Sequence, residues 1–247
     1  MAKINLGEDM TYRDENIKKE IGSKIKVYRK MKLGLSRDKF IEGITEKYAS
    51  IENIETGRSY PDIEFMVRLS NKYHQPICSF IDTGFNETDS GELSFLLEDY
   101  SDDDKYRILQ KLNIEKHHGL REISIEEFVN TDSRDIYPVN MGKLIHNERI
   151  KRNITCANLA ERIGISGKTL SNIEHGNSTM SMGTLYRLCS ELSLPLDYLL
   201  VDRLEDKSVA INYLLSDIFR DVNEHERKFL EKYIRLYKEF NNNSGQL

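Results

Sequence analysis

The chain carries one sequence pattern twice. Residues 40–57 read FIEGITEKYASIENIETG and residues 159–176 read LAERIGISGKTLSNIEHG, and they align without a gap at an offset of 119 positions (174 − 55). Each segment predicts a helix, a tight turn and a second helix that ends at Ile-Glu-x-Gly, which is typical of a helix-turn-helix. Helix-turn-helix units read DNA in many proteins. The duplication therefore favours an all-α chain with two small bundles.

The repeat extends beyond the motif. Downstream, the same offset aligns apolar residues spaced by three and four, the buried face of a helix, and a proline that follows its end. These residues are Met66, Leu69, Tyr73, Pro76, Ile77 and Phe80, which lie over Leu185, Leu188, Leu192, Pro195, Leu196 and Leu199. Upstream the offset becomes 120, and the matched residues are Gly22, Ile25 and Arg29 with Gly142, Ile145 and Arg149. The first copy thus has one extra residue in its helix 1–2 turn, near MKLGLS.

A weaker match follows each copy. Two amphipathic stretches are broken at Ser101 after the first copy and at Asn223 after the second, and both residue types are good N-caps. The predicted fold is all-α, with two five-helix domains that are each followed by a helical hairpin. The predicted segments are a flexible arm 1–16, a first domain 17–82, an acidic helical connector 83–137, a second domain 138–202, a C-terminal hairpin 203–240 and a disordered tail 241–247.

The distribution of charge keeps nucleic acid open as a partner. The formal net charge is −5, which alone would argue against it. Residues 17–82, however, hold 13 Lys and Arg against 9 Asp and Glu, whereas residues 83–137 hold 6 against 14. Phosphate binding depends on the local field of one face, so the acidic connector does not exclude a DNA-binding domain on either side.

Several function classes lack their sequence signals. No run approaches 18 apolar residues, so no membrane span is predicted. The N-terminus has no apolar core of signal-peptide length, which favours the cytoplasm. Cys78, Cys156 and Cys189 form neither a CxxC pair nor a cluster of zinc spacing, and no metal or cofactor is predicted. Because no Gly-rich phosphate loop, HExxH or GxSxG occurs, an enzyme is the least favoured class.

The second copy presents a polar outward face. Thr155 and Ser166 are predicted N-caps, and Gly164 stands where the turn requires a positive φ. Asn can pair with adenine, Lys donates to guanine or phosphate, and Ser or Thr contacts either bases or phosphates. The candidate DNA-contacting residues of this copy are Thr155, Cys156, Ser166, Gly167, Lys168, Thr169, Ser171, Asn172, His175 and Asn177.

The first copy departs from this pattern. Ile41 replaces the small Ala160, and Thr45 replaces the turn glycine. Its candidate DNA-contacting residues are Ser36, Arg37, Lys47, Tyr48, Ala49, Ser50, Asn53 and Arg58. Two interpretations remain open. This copy is either a second DNA-binding domain with a different base preference, or a degenerate helix-turn-helix that binds protein or supports dimerisation.

One pair of opposite charges recurs in both copies. Arg29 and Glu55 of the first copy return as Arg149 and Glu174 of the second. A buried or half-buried ion pair that joins helix 1 to the end of helix 3 would explain the recurrence. We interpret the pair as structural, because removing one partner would strand a buried charge.

Segments 22–81 and 142–200 resemble the XRE or phage-repressor (Cro/cI-like) helix-turn-helix family. The resemblance rests on the Gly-x-x-Ile-x-x-x-Arg opening, on LAERIGIS, on the Ile-Glu-x-Gly close and on the apolar helix that leads into PLDYLL. It implies λ-repressor-like five-helix domains, operator binding by helix 3 and dimeric use. Members often place Gln early in helix 2 as a DNA contact. Arg37 and Cys156 stand there in this chain, so that contact is missing from both copies.

Two functions from different classes follow. The first is a sequence-specific transcriptional regulator, a repressor, whose partner is double-stranded DNA and whose two heads read unlike half-sites roughly 34 Å apart. The second is an antitoxin- or immunity-type regulator that binds a protein or peptide partner, for which the acidic connector would suit a basic ligand. An effector ligand stays open.

An aromatic stripe on the last helix bears on the oligomeric state. Its spacing of three and four residues marks one helix face, which either packs on its own domain or forms the seam of an expected homodimer. The stripe consists of Phe229, Tyr233, Leu236, Tyr237 and Phe240.

Overall fold

The computed structural model describes residues 6–44, 48–85, 97–117, 141–220 and 222–244. All regular secondary structure in these ranges is helical, which confirms the predicted all-α class. No helix in this part of the chain is long and apolar enough to cross a membrane. Nor do its His, Cys, Asp and Glu side chains form a group that could hold a metal ion.

Within the described residues, the first half of the chain contains five α-helices, which we number in chain order. A π-helical turn at Tyr28–Lys32 continues the first helix, and a 3-10 turn at Ile77–Ser79 follows the fourth. The helices are α1 Leu6–Val27, α2 Arg37–Ile41, α3 Tyr48–Glu55, α4 Ile63–Tyr73 and α5 Asp102–His117.

The second half begins with a five-helix domain and ends in two longer helices. A 3-10 turn at Val201–Arg203 separates the two parts. The helices are α6 Met141–Lys151, α7 Cys156–Arg162, α8 Gly167–Glu174, α9 Met182–Leu192, α10 Leu196–Leu199, α11 Ser208–Phe219 and α12 Glu224–Ser244.

The two copies share the same turn glycines, side-chain hydrogen bonds and helix caps. Gly57 and Gly176, which follow the ends of α3 and α8, both have φ of 72°. The Arg68 guanidinium donates to the Ile44 carbonyl at 3.3 Å, and its equivalent Arg187 donates to Ile163 at 2.9 Å. Three pairs of helix caps are also equivalent at the offset of 119: the N-caps Ser36 and Thr155, the N-caps Asp62 and Ser181, and the left-handed C-caps His74 and Ser193.

The extra residue of the first copy lies where helix 1 ends. Arg29 donates to the Leu35 carbonyl six positions later, whereas Arg149 donates to the Ile154 carbonyl five positions later. The π-helical turn and Gly34, with φ of 64°, accommodate the additional residue. A one-residue insertion into an α-helix commonly takes this wider form. The offset of 120 upstream of the motif is therefore explained.

Helix α1 begins earlier than the expected arm 1–16 allows. It starts at Leu6, so residues 6–16 are helical. The Asp14 carboxylate accepts two bonds of 3.1 Å from Arg187 on α9, and the Tyr60 hydroxyl lies 3.3 Å from it. Asp14 thereby joins α1 to Arg187 of the second copy, a contact that sequence periodicity could not reveal.

The longer helices pack across the two copies. Helix α5, which follows the first domain, packs against α11, which follows the second. The predicted breaks at Ser101 and Asn223 are confirmed, because these residues cap the N-termini of α5 and α12. Tyr233 of the aromatic stripe is 5% exposed and its ring centroid lies 4.7 Å from that of Phe229. The side chains of Leu236, Tyr237 and Phe240 lie outside the described part, so the homodimer seam stays a prediction.

Candidate nucleic-acid interface

Helix α8 of the second domain is fixed along one face. Leu170 and Ile173 of α8 are buried in the core. They pack with apolar residues of α7 and of the turn that follows it. The buried members of that turn and helix are Leu159, Ala160 and Ile163. Since one side of α8 packs on the core, its polar residues other than the buried Glu174 are at least partly exposed.

The starts of α7 and α8 are capped as predicted. The Thr155 hydroxyl accepts a bond from the Asn158 N–H at 3.2 Å, and the Ser166 hydroxyl accepts one from the Thr169 N–H at 3.0 Å. Gly164, in the turn between the helices, has φ of 70°. Helix N-termini with free N–H groups attract anions. Two such termini at the surface suit a phosphate backbone.

Most of the ten candidates of the second copy lie at these two helix starts, whereas His175 and Asn177 lie at and beyond the end of α8. The Cys156 thiol contacts the Gly167 carbonyl at 3.5 Å, which brings the first residues of α7 and α8 together. Exposed candidates are Thr155, Ser166, Lys168, Thr169, His175 and Asn177; half-buried ones are Cys156, Gly167, Ser171 and Asn172.

The candidate side chains differ in whether they already form hydrogen bonds within the protein. The Ser166 and Thr169 hydroxyls lie 2.8 Å apart, and His175 Nδ1 lies 2.7 Å from the Ser171 carbonyl. Within the described part of the chain, the side chains of Lys168 and Asn172 make no hydrogen bond. These two side chains are consequently available to a ligand without breaking an internal bond.

The Arg149–Glu174 pair joins α6 to the end of α8. Arg149 Nε lies 2.6 Å from Glu174 Oε1, and Nη2 lies 2.7 Å from Oε2. His146 Nδ1 is a further neighbour at 2.9 Å from Oε2. Burial alone would raise the pKa of Glu174, but the hydrogen bonds from Arg149 and His146 outweigh it and hold the pKa below its ordinary value. The predicted structural pair is present, and it fixes the angle of α8.

The first copy contains the same pair with a different third partner. Arg29 Nε and Nη2 bond Glu55 at 2.5 and 2.9 Å. Arg37 Nε also lies 2.9 Å from Glu55 Oε2. Burial opposes ionisation, yet the two guanidinium groups hold the pKa of Glu55 below its ordinary value. Arg37, a predicted DNA contact, is half-buried on this carboxylate, a partner that spacing in the sequence did not indicate.

The remaining candidates of the first copy are partly described. Ser36 caps α2 and is exposed, Arg58 is exposed, and Asn53 is half-buried. Tyr48, Ala49 and Ser50 form the start of α3, and Lys47, like Thr45 and Glu46, lies outside the described residues. Gly43, with φ of 73°, supplies a left-handed residue in this turn two positions before the one expected from alignment.

Two glycines allow helix 1 to cross helix 3 closely in both copies. A Cβ atom at Gly22 would overlap the Ile54 carbonyl oxygen, and one at Gly142 would overlap the Ile173 carbonyl oxygen. The sequence comparison aligned these glycines without giving a reason for them. Both glycines begin the recurring Gly-x-x-Ile-x-x-x-Arg pattern, and each marks the close backbone contact that supports α3 or α8.

Comparison with known proteins adds one match. The family model described as "Helix-turn-helix domain" matches residues 142–201, from α6 into the 3-10 turn that follows α10. No match was found among curated proteins or among solved structures. The match covers the second domain and agrees with the geometry of α7 and α8, and it supports a DNA-binding regulator.

Proposed function

We propose that the chain is a sequence-specific transcriptional regulator, a repressor, that reads the major groove with α8. One observation carries the proposal. Lys168 at the start of α8 is exposed and Asn172 further along it is half-buried, and neither side chain bonds another described residue, on a helix held by its caps and by the Arg149–Glu174 pair. A recognition helix needs such a rigid body with free polar side chains at its N-terminal end. Its expected place of action is the cytoplasm, together with DNA.

Affinity and specificity would come from different groups. Backbone N–H groups at the starts of α7 and α8, with nearby hydroxyls such as Thr155, would bind phosphates and fix the register. Lys168 would donate to guanine or to phosphate, and Asn172 would pair with adenine. Release of counterions would make binding fall steeply with salt concentration.

The first copy would act as a second head with a different preference. Asn53 stands at the position of Asn172, and both are half-buried. Arg58 is exposed just beyond α3, where it could contact the duplex backbone. Arg37, however, is held by Glu55, and Glu52 on α3 is an exposed acid that would repel phosphate but could accept from cytosine N4.

Operator binding by substituted proteins tests the proposal. Selection of genomic fragments by the purified chain would first give the operator. In anisotropy titrations on that fragment, Lys168→Ala and Asn172→Ala should each weaken binding by about 1–3 kcal/mol, the usual effect of removing a side chain that reads a base. Lys228→Ala, which removes an exposed lysine of α12, is the matched control and should bind like the wild type.

Two results would speak against the proposal. Unchanged affinity of both α8 variants would remove the assigned contacts. Co-purification of a small basic protein, together with no salt-dependent shift of any DNA, would instead favour the antitoxin- or immunity-type alternative.

A further inference from the structure

The two copies meet at equivalent residues. The carboxylate of Asp197 on α10 accepts bonds from the Ile77 N–H at 2.8 Å and from the Cys78 N–H at 2.9 Å. Cys78 and Asp197 are 119 positions apart, which is the offset of the repeat. In a two-fold arrangement, a residue meets its own equivalent only beside the axis. The contact between Cys78 and Asp197 is the one expected beside a local pseudo-two-fold axis.

Neighbouring contacts follow the order that such an axis requires. Thr83, which comes after Cys78, donates at 2.7 Å to the carbonyl of Leu194, which comes before Asp197. Asn71, which comes before Cys78, bonds the Arg203 carbonyl at 2.9 Å and the Glu205 N–H at 3.0 Å, both after Asp197. The segment before the axis in one copy thus meets the segment after it in the other, as in an isologous dimer interface.

The pairing of unlike copies has a chemical basis at the axis. Asp197 is 2% exposed, and both of its carboxylate oxygens are bonded to backbone N–H groups of the other copy. A buried carboxylate is costly without such bonds. Two second domains facing each other would bring two buried aspartates together at the axis, which is unfavourable. Cys78 removes this repulsion from one side, so the first copy is the suitable partner for the second.

Further contacts fix the two domains against each other. The Asp14–Arg187 pair joins α1 to α9, and the Tyr60 ring lies where a Cβ at Gly183 would contact it at 3.1 Å. Glu64 of α4 forms an ion pair with Arg203. These contacts begin at α1 and continue to the residues after the 3-10 turn of the first copy, so the domains have one defined relative placement.

The two recognition helices present different residues. Lys168 and Ser171 of α8 are replaced by Ala49 and Glu52 of α3, whereas the asparagine at the next shared position is kept. Two identical heads would read a palindrome, because operator symmetry mirrors protein symmetry. Two unlike heads in a pseudo-two-fold arrangement would read two unlike half-sites.

We infer that a single chain is a complete pseudo-dimer that binds one operator with two adjacent, non-identical half-sites. The inference rests on the proposed function, since it assigns the form of the DNA that the regulator takes. One chain supplies both heads, and the domain surface that would otherwise join two chains is already buried within the molecule.

Stoichiometry and half-site scrambling test the inference with the full-length chain. Mass photometry on the selected operator should give one chain per duplex, and hydroxyl-radical footprinting should protect two segments about one helical turn apart. Scrambling the half bound by the first domain should weaken binding about 100-fold or more, because the covalent link gives the second head a high effective concentration. Asp197→Asn, with Thr83→Val as a milder variant, should weaken binding to the complete operator more than binding to the second half-site alone.

Three other results of these experiments would contradict the inference, and they can be told apart. One protected segment, with no loss on scrambling the other half, would overturn the pseudo-dimer and leave the proposed function intact. Two chains on a palindrome would do the same. If no genomic fragment is bound, the proposed function fails, and the inference fails with it.

Discussion

At the scale of single residues, a buried carboxylate at the end of α3 and of α8 ties each helix to the rest of its copy. Glu55 and Glu174 end α3 and α8, and both are bonded by an arginine from the preceding helix 1. Bidentate arginine–carboxylate pairs are strong and directional. The third partner differs, since Arg37 from α2 serves Glu55 and His146 from α6 serves Glu174. The two helices are therefore held by the same pair within different surroundings.

These glutamates predict acid sensitivity of the fold. Their pKa values are lowered from 4.5 in the folded chain, so their contribution to stability is complete above the pKa of the unfolded chain and is lost as pH falls through the folded values. Urea midpoints measured from neutral pH down to pH of about 3 should fall in that acid window. Glu174→Gln should lower stability at neutral pH by at most about 3–5 kcal/mol and make the acid decline shallower. An acid decline as steep as in the wild type would show that the pair does not cause it.

The candidate site shows where sequence reasoning stops at this scale. Repeat spacing identified the caps Thr155 and Ser166 and the turn residue Gly164, because these roles depend on local backbone geometry. It did not indicate that the guanidinium of Arg37, whose contact with DNA stays a prediction, lies on Glu55. A long side chain can reach several partners, and only the packed fold decides which partner is within reach.

At the scale of elements, a substitution at the start of α8 can test DNA binding without lowering the stability of the fold. A Cβ at Gly167 would have the Ala157 Cα at 3.9 Å as its nearest neighbour, which is ordinary contact. Gly167→Ala should leave stability unchanged or raise it by up to about 1 kcal/mol, since alanine favours the helix. If the backbone here approaches the duplex, the added methyl group should weaken operator affinity by about 1 kcal/mol or more.

The same substitution at a second glycine, Gly142, is expected to lower stability and serves as the contrast. Gly142→Ala should lower the thermal midpoint, because its Cβ would overlap the Ile173 carbonyl oxygen. Both variants change a helical glycine to alanine, so they differ only in what the methyl group meets. Unchanged operator affinity of Gly167→Ala would place the DNA away from the start of α8.

Helix boundaries were more predictable than helix partners. Caps at Ser101 and Asn223 gave the starts of α5 and α12, because capping chemistry is local. The packing of α5 on α11 was not predicted, since periodicity shows which face of a helix is apolar but not what covers it. The early start of α1 was missed for the same reason, as Arg187, the partner of Asp14, is 173 residues away.

At the scale of the whole molecule, the two copies share one interior. The buried apolar residues of both domains and of the described parts of α5, α11 and α12 form a single cluster. A buried polar network adds to it, in which Glu148 of α6 accepts bonds from the hydroxyls of Tyr198 and Tyr213 at 3.2 and 2.8 Å. Lys116 of α5 reaches the Asp217 carbonyl on α11 at 2.9 Å. The second helix-turn-helix domain is thereby continuous with the helices that follow both copies.

A shared interior predicts unfolding in one step, although repeats and multidomain chains often unfold in several. Separating the copies would expose apolar surface and strand the carboxylate of Asp197, so neither copy should persist alone. Calorimetry should give one transition with a van't Hoff enthalpy equal to the calorimetric one, and circular dichroism should melt at the same temperature. Asp197→Asn weakens the contact between the copies and should lower this common midpoint without splitting it. Two separate transitions in the wild type would instead mean that the domains are independent bodies, and the pseudo-two-fold contact would then be too weak to set the spacing of the two recognition helices.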